Sequence, residues 1–430
     1  MLTSRLVPHV RVLVVLALRN LRRNLRRTLL TAAAMIVGGG LLSFSFALGD
    51  GTHESWIESA VRMDAGHVSI QHPDYRSSPR IEHRLPSAVR DAAEEALGSP
   101  AVAAHVLARS FKLVVRGLAS SASGARPAQI VAVDPAAEAA FSRVDEQVIE
   151  GRYLQPDDRL AAYVAEGLAL GLDLQPGSRL VVQAQDAERE ITGQLLRVVG
   201  VFRTGVPEAD QVLMHIPLVT AGAWLGADAA VTNVGVLVRD STAADSVAAG
   251  LEQALGDFVA RGEARVMGWR ESNPSLASAI ALDDFGNYLL YALLFTIIAF
   301  GVVNTVLMSL LHRHREFGVL QALGLTPGQT GTIVLIEGLV LTAASGLLGV
   351  GIGLLLTWYF VGAGLDFSAL MDQEMTFSGV VIDPVIVPRF SLVRVCQVLA
   401  FMVFLGIAAS LYPAFRAARI DVTEAMKFDR

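Results

Sequence analysis

Residues 304–326 read NTVLMSLLHRHREFGVLQALGLT, and the rest of the chain is organised around this stretch. It begins inside an apolar run, the 27 uncharged residues from Phe285 to Leu311. About 20 such residues suffice for a helix to cross the hydrocarbon core. It then meets a basic patch, His312, Arg313, His314 and Arg315, and enters a short amphipathic segment from Glu316 to Leu323 that stops at Gly324. The pattern predicts a membrane helix that feeds a small helix at the membrane surface, a handle on which a partner can push.

Three further spans follow from the same reasoning. Thr28 to Gly49 holds no charge over 22 positions, and a helix of that length rises about 33 Å. It exceeds the apolar region of a signal peptide, so it is expected to be retained. Gly38, Gly39 and Gly40 sit mid-span; they allow close helix approach or a bend, or mark a stretch of poor packing. The second span, 285–311, carries Asn304 near its inner end, an amide suited to hydrogen bonding across helices. The third, 332–361, is interrupted by Glu337 and shows a small-residue face of Gly346, Gly349, Gly351 and Gly353. A carboxylate in a membrane invites a functional reading. Glu337 lies only about one turn inside the span, which favours a head-group-level acid paired with an arginine over a proton relay. The fourth span is 392–411, with Arg394 at its edge. Cys396 is the only cysteine, which excludes an internal disulfide and a cysteine-cluster metal site. Its apolar setting predicts a packed thiol.

Charge sets the expected topology. The first 27 residues hold seven arginines and no acid. They suit an interfacial basic helix among anionic head groups better than a nucleic-acid arm, because a span follows at once; no nucleic-acid partner is expected. The positive-inside rule places this end in the cytoplasm. The chain then emerges near Asp50, and the basic patch at 312–315 returns to the cytoplasm by alternation. Residues 51–284 carry 31 acidic against 20 basic side chains. Their β-rich runs (67–71, 111–116, 129–133, 179–185, 194–202, 234–238) and helical patterns (87–97, 243–255) predict an α+β insert of two subdomains. Within it Ala119 to Ala125 reads as a flexible loop, and 267–284 as a helical stalk returning to the membrane. The fold class expected is an α-helical membrane protein with four transmembrane helices and a large extracytoplasmic α+β domain, 50–284, between the first and second. A coupling loop (312–331), a short external loop (362–391) and a cytoplasmic tail (412–430) complete it. In the tail Arg416 and Arg419 share a helical face toward head groups or a partner.

No chemistry-bearing motif accompanies this architecture. The sequence lacks GxSxG, HExxH and calcium-loop spacing, and its histidines are scattered. No GxxxxGK[ST] occurs, and the only lysines, Lys112 and Lys427, follow Phe111 and Met426. The reading is a non-catalytic chain with no metal or cofactor of its own, which cannot itself be an ATPase and needs a partner if ATP drives it.

The segments NTVLMSLLHRHREFGVLQALGLTPGQ, IEGLVLTAASGLLGVGIG and LYPAFRAARIDVTEAM resemble the permease signatures of the FtsX/MacB-like ABC transporter family. ALRNLRRNLRRTLLT and AGHVSIQHPDY resemble its lipoprotein-releasing branch, the LolC and LolE permeases. The resemblance implies an inner-membrane protein, with both termini cytoplasmic, that pairs with a second permease copy as a homo- or heterodimer. Each copy would hold a cytoplasmic ABC ATPase subunit, the binder of ATP and Mg, through Glu316, Phe317, Gly318, Val319, Leu320, Leu323 and Gly324. Motion would pass through the stalk to the external domain and drive lipoproteins or other amphiphiles outward, with a periplasmic partner possible. An FtsX-like mechanotransmitter that regulates an external cell-wall hydrolase is the alternative. A membrane-anchored enzyme is a third, opposed by the absence of a catalytic constellation.

Overall fold

The computed structural model describes residues 14–17, 19, 25–227, 230–368, 376–377, 380–381 and 385–420. The expected helix at 1–27, much of the loop 362–391 and the tail beyond Ile420 lie largely outside them. The chain divides into two compact units, one built on residues 25–53, 282–368 and 385–420, the other on 54–281.

Four helices are long and apolar enough to cross a membrane: Leu25–Met63, Pro274–His312, Pro327–Ala363 and Leu392–Ala418. They outrun their uncharged stretches, because helical hydrogen bonding continues where the side chains turn polar. The first carries Asp50, His53, Glu54 and Glu58 on its extension. The expected stalk is corrected at its start. Residues 265–268 are a strand and Trp269–Ser272 a separate short helix. Asn273 leaves helical geometry, and Pro274 then opens the long helix, where its missing N–H costs nothing.

Small residues bring the spans together. A Cβ on Gly40 would lie 3.0 Å from the Gly349 carbonyl oxygen, and one on Gly353 2.7 Å from the Gly40 carbonyl oxygen. First and third spans therefore touch backbone to backbone, the contact that replaces hydrophobic drive inside a bilayer. Thr31 and Thr305 share a 2.7 Å hydrogen bond between first and second spans. Met35, Leu42, Val302, Val306, Leu341, Val398 and Met402 fill the centre. Cys396, expected as a packed thiol, is exposed instead. A span's outer face is apolar too, so hydrophobicity alone does not say which side is covered.

The other unit holds a ten-stranded sheet. Its strands are β1 (Val68–Gln71), β2 (Val106–Ser121), β3 (Gly124–Val133), β4 (Val148–Gly151), β5 (Ala161–Ala165), β6 (Arg179–Gln185), β7 (Ile191–Phe202), β8 (Leu213–Pro217), β9 (Asn233–Val238) and β10 (Arg265–Gly268). Pairing runs β2–β3–β8–β5–β7–β6 and returns to β2, so six strands close a barrel. Alternation decides what fills it. Leu113, Val115, Ile130, Ala132, Met214, Ile216, Leu180, Val182, Leu196 and Val198 point inward and are buried.

The two expected subdomains share this sheet through β2. Its residues Val106–Lys112 pair with β9, and from Leu113 onward it pairs with β3. The β9 side continues to β1 and β10 and is covered by helices Ser87–Gly98 and Ala244–Ala254, with Val68, Ile70, Val234 and Val236 against Val89, Val247 and Leu251. The segment Ala119–Ala125 is corrected from loop to hairpin: Ala119, Ser120 and Ser121 pair with Arg126, Ala125 and Gly124. Small side chains suit both a loop and a crowded barrel wall; Ser121 Oγ accepts from Ser123 N–H at 3.0 Å within the turn and donates to the Leu172 carbonyl at 2.6 Å.

Where β2 changes partners, charge is buried. Lys112 Nζ donates to Glu138 Oε1 at 2.9 Å, and Ser110 Oγ donates to Glu138 Oε2 at 2.6 Å. Burial pushes the nearby His215 imidazole down from 6.5 to about 4, with Glu138 partly opposing and Lys112 adding to the shift. A lowered histidine favours the folded state above its unfolded pKa and withdraws that support as pH falls toward the folded value. Stability attributable to His215 should therefore be lost between pH 6.5 and about 4. Full loss amounts to about 3 kcal/mol. Denaturant unfolding of the detergent-solubilised chain, followed by tryptophan fluorescence, should show a flatter pH slope for His215→Leu than for the native chain.

Candidate functional site

The helix Pro274–His312 ends at a single non-helical residue, and that residue builds the site. Arg313 has φ −114° and ψ 15°, and the next helix, His314–Ala322, starts from it. Its backbone stays in the hydrogen-bonding register: Arg313 N–H donates to the Leu310 carbonyl at 3.1 Å, and Phe317 N–H to the Arg313 carbonyl at 3.0 Å. The chain bends with few backbone groups unmet.

The Arg313 side chain turns inward and joins three elements. Nε donates to Glu316 Oε2 at 3.0 Å on the short helix. Nη1 meets Glu337 Oε2 at 3.4 Å on the third span, and Ser309 Oγ lies 3.4 Å from Glu337 Oε1. The guanidinium carbon sits 4.8 Å from the centre of the Phe317 ring. Arg313 and Glu337 are both buried. Two charges taken out of water are tolerable only when paired and hydrogen-bonded. A planar guanidinium presents five donors in a fixed fork and stacks on an aromatic face, which suits two carboxylates beside a ring. The sequence expectation that Glu337 pairs with an arginine is therefore met by Arg313, and Ser309 adds a donor.

The short helix presents a different face from the one expected. Phe317 is 1% exposed and packs into the core of the spans, and Gly318 is buried beside it. Neither can serve as an external contact, which corrects their place in the contact set. Leu320 is half-buried. Arg315, Val319 and Ala322 lie exposed at helical spacing, and Leu323 is 78% exposed. Gly324 ends the element at φ +104°, a conformation glycine adopts without strain. Thr326 then caps the third span in a capping box with Gln329, and Pro327 occupies its first turn.

These elements sit within two matched regions. Residues 288–422 match the family described as FtsX-like permease C-terminal. Residues 28–254, more than half of the chain, match the MacB-like periplasmic core domain. The chain belongs to the FtsX/MacB-like family of ABC transporter permeases. The permease is similar to the lipoprotein-releasing system transmembrane protein LolC of Neisseria meningitidis, with 25% identity over 61% of this chain and 64% of that one. It is similar to the uncharacterized ABC transporter permease YknZ of Bacillus subtilis, with 29% identity over 56% of each chain. The macrolide export ATP-binding/permease protein MacB of Rhodospirillum rubrum is 26% identical over 78% of this chain and 51% of its own length. The permease thus spans less than two thirds of the length of these relatives.

The remaining expected positions separate by role. A Cβ on Gly38 would meet Ile298 on the second span at 2.8 Å, and one on Gly39 would meet Met402 on the fourth at 3.3 Å. With Gly40 against the third span, consecutive glycines pack the first helix against each of the others. Close approach, of the readings left open above, describes them. Asn304 faces outward, and Thr305 beside it makes the bond to the first span. Arg416 and Arg419 are exposed on the end of the last helix, Arg416 donating to the Tyr412 hydroxyl at 3.2 Å and Arg419 lying 4.0 Å from the Phe415 ring centre. Sequence reasoning counted Arg313 as one of a basic patch and missed it as the organising residue. Its register was the available signal: it lies three residues before Glu316.

The permease should lose about 3 to 5 kcal/mol on Arg313→Met, which strands Glu337 in a buried site. The double variant Arg313→Met/Glu337→Leu should recover most of the loss, read as the melting temperature in detergent. Gly353→Leu should lower that temperature independently, through overpacking that costs about 1 to 3 kcal/mol of stability.

Proposed function

We propose that this chain is the transmembrane subunit of a MacB/Lol-type ABC transporter in the inner membrane, with both termini cytoplasmic. It carries the motion of a separate ATPase subunit to an extracytoplasmic α+β domain. The observation that carries this reading is the helix His314–Ala322, tied to the third span through Arg313 while Arg315, Val319, Ala322 and Leu323 remain on its outer side. A helix so placed can receive a push from a docked partner and hand it to the spans. The sequence carries no phosphate-binding loop, which supports a motor on another chain. ATP and Mg belong to that subunit. A second permease copy would complete the assembly.

The cargo we propose is a lipoprotein or another amphiphile. The name of the LolC relative points there. An apolar cavity of about 480 Å³ supports it, lined by Leu42 and Phe46 of the first span, Tyr288, Tyr291 and Phe295 of the second, and Phe401 and Phe404 of the fourth. Charge caps the same helices beyond it. Asp50 accepts from Arg394 Nη2 at 2.9 Å, and His53 Nε2 lies 2.8 Å from Asp283. An apolar chamber with a polar rim suits an acyl chain carrying a polar head.

In reconstituted complex, Val319→Asp and Leu323→Asp should each weaken ATPase-subunit binding at least about tenfold, with membrane insertion unchanged. Normal binding and normal turnover in both variants would remove this helix from the coupling role. A lipidated peptide should stimulate ATP hydrolysis where its unlipidated form does not; equal rates with both would remove the amphiphile as cargo.

A further inference from the structure

The seam at which β2 changes partners encloses a second cavity, of about 260 Å³, that the transport reading does not use. It lies wholly within residues 54–281. Its wall is the outer surface of the barrel: Val114 and Val131 alternate with inward-facing Leu113, Val115, Ile130 and Ala132, and Leu213 and His215 alternate with Met214. Its floor is polar. Lys112 and Asn233 close it, and both are more than nine-tenths buried.

The charges are arranged in depth. Lys112 is matched by Glu138, and its Nζ also reaches the Asp64 carbonyl at 3.3 Å. Asp64 also lines the cavity and is exposed. Arg76 and Arg116 stand exposed at the opening. Arg76 is fixed there, because its guanidinium donates to the carbonyls of Glu271 and Ser272. The opening is cationic, and the interior offers acceptors. Two interior atoms have no partner, Asn233 Oδ1 and His215 Nδ1. Buried polar atoms are nearly always paired, so two orphans on residues that line one cavity indicate a group that is to arrive. The volume corresponds to about nine waters in the liquid.

We propose that this cavity binds a small amino carboxylate, a free amino acid or dipeptide with a short aliphatic side chain. Its carboxylate meets Arg76 and Arg116 at the opening. Its N–H donors meet the exposed Asp64 carboxylate and, deeper, Asn233 Oδ1. Val114, Val131 and Leu213 receive the aliphatic part. A carboxylate alone leaves the interior acceptors unmet, and an amine alone is repelled at the opening.

The test is calorimetric titration of the full-length chain in lipid nanodiscs with L-alanine, L-alanyl-L-alanine, acetate and inorganic phosphate. One of the first two should bind saturably. Arg116→Gln should weaken that binding about tenfold or more, without moving the unliganded melting temperature, since Arg116 is exposed. Three results would each overturn the proposal: no saturable binding of either amino carboxylate up to about 10 mM, acetate or phosphate binding as tightly, or an Arg116→Gln variant that binds unchanged. None depends on whether an ATPase docks or an amphiphile moves.

Discussion

The charged contact of Arg313 with Glu316 and Glu337 constrains everything around it. A buried cation must be matched, and here two carboxylates from different elements do so. The short helix cannot rotate about its axis without carrying Glu316 away from the guanidinium. The third span cannot slide past without moving Glu337. Phe317 adds a steric version of the same restriction, because its ring lies beneath the guanidinium and inside the core. The orientation of the helix, and hence the face it leaves exposed, follows from these contacts.

The α+β unit is governed by a comparable constraint on one strand. β2 is 16 residues long and serves the two parts of the sheet in turn. Its inward residues must suit the barrel from Leu113 onward, while its earlier residues must suit the β9 side. At the exchange the two parts of the sheet diverge, and the gap between them is a cavity lined in part by polar side chains rather than a continuous apolar core. Lys112, Glu138, Asn233 and His215 occur there together for this geometric reason. Their burial is costly, and the hydrogen bonds that Lys112 and Ser110 donate to Glu138 offset part of the cost.

Much of this was legible in the sequence, and the failures have physical causes. The four apolar helices stand out because a bilayer demands long uncharged runs. Glu337 announced a cationic partner because an unpaired acid is so unfavourable there. Strands β5 and β8 went unread: AAYVA and LMHIP are buried with hardly a break in the barrel wall, so they show no alternation. Phe317 and Cys396 were assigned to the wrong sides for one shared reason. In a membrane protein lipid, partner and core all accept apolar side chains, so periodicity reveals an apolar face without naming what covers it. Closure of the barrel and the polar seam depend on pairings between distant segments, which local pattern does not encode.

The placement of stiffness in the membrane unit bears on how force can travel. The helices Pro274–His312 and Pro327–Ala363 are unbroken over 39 and 37 residues. Between them the short helix is bounded by non-helical residues, Arg313 on one side and Leu323 and Gly324 on the other. A backbone joint of that kind bends readily and transmits torque poorly. Whatever load the short helix receives must therefore leave it through side chains, and the buried ones available are Phe317 and the Arg313 ion pairs. The ion pairs resist displacement in two directions, toward Glu316 and toward Glu337, whereas the ring resists only compression. The electrostatic contact thus ties the short helix to the third span independently of the covalent chain.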